Sequence, residues 1–429
     1  MSSLFIWFRL LFNCRFYYPV FTILFLDLGL SIAEFAALNV VWAVTIVLLE
    51  VPSGALADRF GRRPLIVAAG WLMVAEMAVL CLMPVGDHGT VLWLFVLNRI
   101  LSGAAEACAS GADEALAYDS LPEQDRAALW PAVLARLSRA MALGFIVSSV
   151  TGAVMYDHAK VNALLAWLGM DAMPRPLTLK LPLLMNLLTG VACLLVALRM
   201  REPAAHDTRP RLPWTAETAR ALRGMFGTGL WIWRRHGVFR LLVLAVVFDS
   251  VIRLFLTVAS QYYRLIGIGE AWYGVIGTTA ALLGLASAGM MEKMTLRSTL
   301  RGNFAFLALL TLGGLACAAA AAPGWPGVAL VMPVMLAMRF LQFFLSHYLN
   351  AETGSDRRAT VLSFRGLATN LAYGGMTLIF GWHTGWLKSA REPPADDLIV
   401  FADSLKIWPA WFAATLLLSL LLITWHSRR

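Results

Sequence analysis

The sequence predicts an all-α integral membrane protein with twelve transmembrane helices in two pseudo-symmetric six-helix bundles. Apolar residues make up 59% of the 429 residues, and charged residues make up 14%, against about 25% in soluble domains. The apolar runs are continuous, whereas the strands of a membrane β-barrel alternate apolar and polar positions. One long basic stretch divides these runs into two sets of six. A soluble enzyme and a nucleic-acid-binding domain are therefore poor interpretations.

Each apolar run is about long enough to cross roughly 30 Å of hydrocarbon as a helix. The twelve helices are predicted at 12–30, 32–56, 65–84, 90–117, 130–155, 178–199, 239–263, 271–293, 303–322, 327–350, 359–386 and 405–426. They define an N-terminal bundle (1–199), a linker (200–238) and a C-terminal bundle (239–429). Tyr118 with Asp125 and Tyr348 with Asp356 form similar patterns half a chain apart, which favours duplication and a substrate site between the halves.

The distribution of lysine and arginine predicts the orientation. With the N-terminus inside, the cytoplasmic segments carry 22 of these residues and the outer loops carry seven. Cytoplasmic loops carry the excess of positive charge in membrane proteins. We therefore expect both termini in the cytoplasm. The net charge of +9 is then explained by contact with anionic lipid headgroups, and nucleic acid is not expected as a partner.

The linker is predicted to contain an amphipathic helix on the inner membrane surface. Leu222, Phe226, Leu230 and Trp233 recur at helical spacing among arginines, a pattern typical of interfacial helices. A solvated basic linker is the alternative.

Several kinds of site are not indicated by the sequence. The five cysteines lie in apolar segments without paired spacing, so neither a disulfide framework nor a metal site is expected. No phosphate-binding loop or catalytic motif is apparent. We expect no catalytic residues, no metal and no cofactor, and an ion gradient, most simply of protons, as the energy source.

The motif that points to a family lies between the second and third predicted helices. It reads Gly54-Ala55-Leu56-Ala57-Asp58-Arg59-Phe60-Gly61-Arg62-Arg63. This run resembles the signature loop G-x-L-A-D-R-x-G-R-R of the major facilitator superfamily, at the position that the family requires. The resemblance implies the twelve-helix fold of that superfamily, a monomer, and a role in conformational change for Gly54, Asp58, Arg59, Gly61, Arg62 and Arg63.

Two further patterns bear on coupling and direction. Arg99-Ile100-Leu101-Ser102-Gly103 is similar to the family motif R-x-x-Q-G, with Ser102 in place of glutamine. In proton-coupled members that arginine is associated with coupling. The fifth predicted helix departs from the antiporter signature, because Val150 and Thr151 stand where Gly-Pro is expected.

Three other segments are similar to a bacterial drug-efflux-like subgroup of these permeases. They are Glu50-Val51-Pro52-Ser53-Gly54, Asp113-Glu114-Ala115-Leu116-Ala117-Tyr118-Asp119 and Arg358-Ala359-Thr360-Val361-Leu362-Ser363. The resemblance implies a multi-pass protein of the bacterial cytoplasmic (inner) membrane. It identifies no substrate.

Charged residues within the first six helices are candidates for proton coupling, because a charge in the bilayer is costly and usually faces a cavity or a partner. Arg99, Glu106 and Asp113 are seven residues apart, so we expect one polar stripe along the fourth helix. Burial favours the protonated form of a carboxyl group, which makes Glu106 the main candidate. Asp27, late in the first helix, is another. Interhelical salt bridges are the structural alternative.

The second half supplies candidates for the substrate cavity. Asp249 and Arg253 are four residues apart on the seventh helix, so they can neutralise each other or form a gate. Arg339 in the tenth helix and Arg365 in the eleventh helix could bind an anionic substrate.

These patterns predict a secondary active transporter. The first hypothesis is a proton-coupled exporter, an antiporter, of small amphipathic organic compounds such as drugs or a secreted metabolite or siderophore, working by alternating access. The alternative is a proton-coupled or uniport importer of a small metabolite, with an anion favoured by Arg339 and Arg365. A membrane receptor without transport is a third interpretation, and no large soluble domain in the sequence supports it.

Overall fold

The computed structural model describes residues 1–84, 86–202, 214–353, 357–391 and 396–428. Within the helices, the side chains of 55, 58–59, 127, 214–218, 220–222, 225–226 and 358–359 lie outside this description. These side chains include Leu222 and Phe226 of the predicted amphipathic pattern. Asp356 of the internal repeat lies outside the described residues altogether. Every regular element in the described part of the chain is a helix.

Twelve membrane-crossing units, here called spans, follow one another along the chain. Spans 1 to 6 are Ser2–Asn13 with Phe21–Asp27, Ile32–Phe60, Arg62–Cys81, His88–Ala109 with Ala112–Asp119, Arg126–Tyr156, and Leu181–Arg199. Spans 7 to 12 are His236–Leu265, Tyr273–Ala286 with Ala288–Arg297, Leu300–Ala320, Trp325–Glu352, Arg358–Ser389, and Trp408–Ser427. The linker helix is Trp214–Arg234, and shorter elements are Tyr18–Val20, His158–Trp167, Arg175–Thr178, Glu270–Trp272 and Asp397–Leu405.

Nine of these helices, among the residues described, are long and apolar enough to cross a membrane, and the bent pair of span 8 makes ten. The other two spans are the interrupted span 1 and the 32-residue span 11. An even number of crossings places both termini on one face of the bundle, here called the termini face. The opposite face, where span 1 ends at Asp27, is called the Asp27 face.

Three spans differ in shape from the sequence prediction. Span 1 begins at Ser2 rather than residue 12, since Phe5, Phe8 and Phe12 are already buried at helical spacing. It is interrupted before Pro19, because proline lacks an amide hydrogen and restricts the preceding residue. Span 8 bends by 41° after Ala286. The break in span 4 matters most for the site and is described below.

Each half has an aromatic core. In the first half, Phe25 lies 4.2 Å from Phe95 and 5.3 Å from Phe35, measured between ring centroids, which joins spans 1, 2 and 4. In the second half, Phe248 packs 5.3 Å from Phe412 and joins spans 7 and 12. These fully buried rings fix the frame on which the polar side chains are placed.

Candidate functional site

The two halves meet along spans 2 and 11, where glycine allows close approach. A Cβ atom on Gly374 would lie 3.1 Å from Ala43, and one on Gly381 would lie 3.0 Å from Ala36. Small residues let membrane helices pack backbone to backbone. The helices of both halves are therefore in direct contact beside the central polar groups.

Charged residues join the halves at the Asp27 face. Asp27 accepts hydrogen bonds from Arg264 (2.7 and 2.8 Å), from Arg175 (2.8 Å) and from the Tyr156 hydroxyl (2.6 Å). Glu270 accepts from the same two arginines, from Arg264 at 3.0 Å and from Arg175 at 3.2 Å. Two cations thus balance two carboxylates contributed by both halves. We call these five residues the Asp27 network.

Further hydrogen bonds lie near the same face. The Thr22 hydroxyl donates to the carbonyl of Thr257 (2.7 Å), and the Ser260 hydroxyl accepts from the Thr22 amide (3.1 Å). The Ala271 amide donates to Asp157 at 3.2 Å. Where both partners are described residues, all hydrogen bonds and ion pairs between the halves lie toward this face. The Asp27 face is closed.

The opposite side of the centre is open to water. Tyr18 lies in the middle of span 1 and interacts electrostatically with Arg15, Glu76 and Glu106 of spans 1, 3 and 4. Its residue surface is nevertheless 54% exposed. A side chain surrounded by charged groups of three spans and still exposed lines a cavity. Because the described hydrogen bonds between the halves lie toward the Asp27 face, we infer that this cavity opens toward the termini face.

Arg253, in the middle of span 7, is held in a fixed position at this cavity. It forms an ion pair with Asp249 (2.6 Å) and donates to the Asn370 side-chain oxygen (2.7 Å). Its guanidinium carbon lies 5.4 Å from the centre of the Tyr373 ring. The side chain remains 27% exposed. The predicted Asp249–Arg253 contact is present, and span 11 completes it.

Tyr373 connects this cluster to the first half. Its hydroxyl lies 3.1 Å from the Thr257 hydroxyl, and its ring centre lies 6.5 Å from that of Trp42, edge to face. Trp42 belongs to span 2. Arg99 of span 4 and Arg253 both act electrostatically on Tyr373, so positive charge approaches it from both halves.

Arg339 and Arg365 carry positive charge without a described partner. The stem of Arg339 packs against Gly284 of span 8, where an added Cβ would lie 2.9 Å from it. Arg365 is part-exposed and within electrostatic range of Asp249. Neither forms a hydrogen bond or ion pair with another residue that the structure describes. The interior of the second half therefore has more positive than negative charge.

Arg99 of the first half has neutral neighbours in place of a carboxylate. It is 3% exposed and donates twice to the Asn98 side-chain oxygen, at 2.9 and 2.6 Å. Its guanidinium lies 5.4 Å from the Phe21 ring and 5.2 Å from the Phe25 ring. Aromatic faces attract a cation, which fixes Arg99 without neutralising it.

The predicted stripe on span 4 is wrong as a continuous helix face. The helix stops at Ala109 and restarts at Ala112, with Gly111 at φ 74°, a left-handed conformation that glycine adopts without strain. Asp113 therefore belongs to a separate short helix and pairs with Arg9 of span 1 at 2.7 Å. It remains within electrostatic range of Glu106 across the break.

Glu106, like its neighbour Glu50, differs from the paired acidic residues of its half. Glu76 forms a buried ion pair with Arg15, whereas Glu106 forms neither an ion pair nor a hydrogen bond with a residue in the described ranges. It is part-exposed and interacts electrostatically with Glu50 of span 2. The Ser53 hydroxyl, 2.8 Å from the Ala107 carbonyl, holds spans 2 and 4 together there. Glu106 is thus a part-exposed carboxylate without a described ion pair, although Arg15 and Arg9 lie within electrostatic range of it.

The signature loop is attached to the end of span 6. The backbone amides of Arg62 and Arg63 donate to Glu202 at 3.0 and 2.7 Å. Gly61 has φ 94°, and an added Cβ would lie 3.0 Å from the Glu202 carboxyl carbon. Arg62 also forms an ion pair with Asp119 at the end of span 4.

The remaining motif residues contribute less to the described geometry. Gly54 lies within span 2 with open space where a Cβ would be. The side chains of Asp58 and Arg59 lie outside the described residues.

Sequence reasoning missed most partners of the predicted residues. These are Arg9, Arg15, Glu76, Asp119, Tyr156, Arg175, Glu202, Arg264, Glu270, Asn370 and Tyr373. One signal was present, since Arg175 and Arg264 are cations assigned to outer loops, where few are expected. Both are counter-ions of Asp27. In the described part of the chain, no group of three His, Cys, Asp or Glu could hold a metal ion.

Solved transporter structures share this fold. A bacterial homologue of the human lysosomal transporter Spinster is 17% identical with a TM-score of 0.68, covering 100% of this chain and 96% of that chain. The nucleoside transporter NupG is 11% identical with a TM-score of 0.69, covering 98% and 97%. A D-xylose–proton symporter is 15% identical with a TM-score of 0.61, covering 96% of each.

The sequence comparisons give one family. The profile described as Major Facilitator Superfamily matches residues 4–377. No curated protein sequence matches the chain significantly.

Proposed function

Because the chain belongs to the major facilitator superfamily and is a secondary membrane transporter, we propose that it is a proton-coupled exporter of small amphipathic organic compounds. The single observation that carries this proposal is the pairing pattern of the first half. Glu106 is part-exposed and forms no described ion pair, a property that it shares with Glu50, while Glu76 and Asp113 are neutralised by arginines.

For an exporter, the orientation determines from which side the compound enters the cavity. The termini face carries most of the lysine and arginine, so we place it in the cytoplasm of a bacterial inner membrane. The open cavity then faces the cytoplasm and can receive a compound from the cell interior or the inner leaflet. We propose that the protein acts as a monomer without a cofactor.

Alternating access requires the Asp27 network to open. Opening separates Arg264 and Glu270 of the second half from Asp27, Tyr156 and Arg175 of the first. Each separated group must then be hydrated by water that enters from outside. Binding of a proton to Glu106 neutralises a charge in the first half, and this changes which of the two states is favoured.

A proton-coupled importer is the second candidate, and one observation favours it. Glu106 lies in the first half, whereas Arg253 lies in the second half, so a proton and an anion have separate sites and could move together. Joint movement of one proton and one monovalent anion transfers no net charge.

The test uses purified full-length protein in liposomes with an internal pH dye. An imposed pH gradient is challenged with cationic drugs, siderophores and organic acids. We expect a substrate-dependent proton flux that falls at least about tenfold in Glu106→Gln, because the variant cannot bind the proton. Asp27→Asn tests the other carboxylate candidate.

Glu34→Gln is the matched control, since Glu34 already bonds Ser31 and His88 at the Asp27 face. Proton flux opposite to substrate movement supports export by antiport, and flux in the same direction supports import. An undiminished flux in both Glu106→Gln and Asp27→Asn would overturn the assignment of the proton site. Substrate movement without any proton flux would indicate uniport.

A further inference from the structure

The groups around Arg253 form a site with a charge to be neutralised and an aromatic surface beside it. Asp249 neutralises one positive charge, while Arg253 and Arg365 supply two. This leaves one net positive charge in the accessible centre of the second half. Arg99 adds positive potential from the first half, since it has no carboxylate partner among the described residues.

Arg253 is oriented before any ligand arrives. Asp249 and Asn370 each occupy one terminal nitrogen of its guanidinium, and Tyr373 covers one face. A guanidinium has five N–H donors, so donors remain for a ligand on the exposed side. A donor that is already ordered loses little entropy on binding.

The aromatic part of the site lies beside this guanidinium. Tyr373 and Trp42 are in edge-to-face contact, and they come from opposite halves of the molecule. On span 11, Arg365 and Tyr373 are eight residues apart, about 12 Å along the helix axis at 1.5 Å per residue. Tyr373 is 3% exposed, so Trp42 provides the ring surface that a ligand can reach. A small molecule with an anionic group and a flat ring can therefore contact the arginines and Trp42 together.

We propose that this site binds a small organic anion, with its carboxylate or similar acidic group on Arg253 and Arg365 and an aromatic ring against Trp42, which the buried Tyr373 supports from the second half. This inference rests on the proposed function and names the substrate class of its cavity. A ligand that reaches from Arg253 to Trp42 contacts both halves at once, so it is bound where alternating access changes the geometry.

The test measures equilibrium binding to purified full-length protein by calorimetry, without a proton gradient. The probes are 2-naphthoate, 2-naphthamide, 2-naphthylmethylammonium and cyclohexanecarboxylate, which vary the charge and the ring separately. We expect 2-naphthoate to bind at least about tenfold more tightly than the amide, since hydrogen bonds to a charged group are the stronger ones. The ammonium probe should bind least.

Substitutions test which residues provide the binding affinity for the probes. Arg365→Gln and Arg253→Gln should weaken 2-naphthoate about tenfold or more and leave 2-naphthamide within about twofold, because only the anion uses the charge. Trp42→Leu should weaken 2-naphthoate and 2-naphthamide and spare cyclohexanecarboxylate. Arg301→Gln is the matched control, because Arg301 is an exposed arginine at the start of span 9. Arg365→Lys tests whether charge alone restores binding.

The outcomes separate this inference from the proposed function. Equal affinity for the ammonium and carboxylate probes, or an unchanged 2-naphthoate affinity in Arg365→Gln, would overturn the anion site. Proton flux driven by cationic drugs in a protein that does not bind 2-naphthoate would keep the proposed function and reject this site. Charge-selective binding without any proton flux would keep the site and reject the coupling.

Discussion

The two halves of the molecule differ in which of their internal charges form ion pairs. In the first half, Glu76 and Asp113 are paired with arginines of span 1, and the carboxylates left without a described ion pair are Glu50 and Glu106. In the second half, Asp249 is paired, and the described groups left over are the arginines Arg339 and Arg365. A free carboxylate suits proton binding, and free arginines suit an anion. We therefore propose that the two halves perform different tasks, proton binding in the first and anion binding in the second.

The largest expected effect comes from breaking the buried pair of the first half. Arg15→Leu should destabilise the protein by about 3–5 kcal/mol, because Glu76 would remain buried as an uncompensated charge. Denaturant unfolding of the purified protein measures this loss. The double variant Arg15→Leu/Glu76→Leu should recover most of it. Equal destabilisation in the single and double variants would contradict the reasoning.

The next effect concerns the network that joins the halves. Asp27→Asn weakens the hydrogen bonds from Arg264 and Arg175, so the Asp27 face should open about tenfold more often, a change of about 1.4 kcal/mol. Maleimide labelling of a Thr22→Cys reporter in a background without native cysteines measures this opening. Glu34→Gln, on the same face but bonded only within its own half, should leave the labelling rate unchanged.

A smaller effect concerns the hydrogen bonds that cap the N-termini of spans 3 and 9, which are equivalent helices of the two halves. Span 3 is capped from a distance by Glu202, whereas Thr299 caps the start of span 9 locally through the Gly302 amide (3.1 Å). Each capping loss costs about 1 kcal/mol. Glu202→Ala should in addition increase hydrogen exchange at the end of span 6, and Thr299→Ala should affect span 9 alone. Identical exchange patterns in the two variants would refute this distinction.

The smallest effect comes from a surface ion pair of the second half. A hydrogen bond from Lys406, together with Arg391, lowers the pKa of Asp403 below its ordinary value. A carboxylate with a lowered folded-state pKa adds stability above its unfolded pKa of about 3.9, and this stability is lost as the pH falls through the folded pKa.

Asp403→Asn should therefore cost less than about 1 kcal/mol at pH 7 and nothing in acid below both pKa values. Hydrogen exchange of Asp397–Leu405 in variant and wild type, compared at each pH, measures the difference. A difference that persists in strong acid would show that the charge is not its cause.

Much of the fold could be predicted from the sequence because each crossing helix must be apolar along its whole length. The spacing of Phe5, Phe8 and Phe12 was present in the sequence, but Arg9 and Arg15 interrupt the apolar run and hid the start of span 1. The structure neutralises both arginines with acidic residues from spans 3 and 4. Hydropathy cannot reveal such partners, since they are distant in sequence.

The candidate site was predictable in residue type but not in pairing. Local spacing identified Asp249 with Arg253, because an interval of four places both on one helix face. The contacts of Arg253 with Asn370 and Tyr373 depend on how span 11 packs against span 7. No periodicity within one helix contains that information.

The sequence by itself determined the membrane-spanning class, the two halves and the signature loop, because bilayer thickness and charge distribution act on local composition. Only the tertiary structure decided which charges are neutralised. Asp27 meets Arg264, a residue 237 positions away, and Glu106 meets no described counter-ion. The physical reason is that an ion pair depends on distances between side chains of different spans, and helix packing sets those distances.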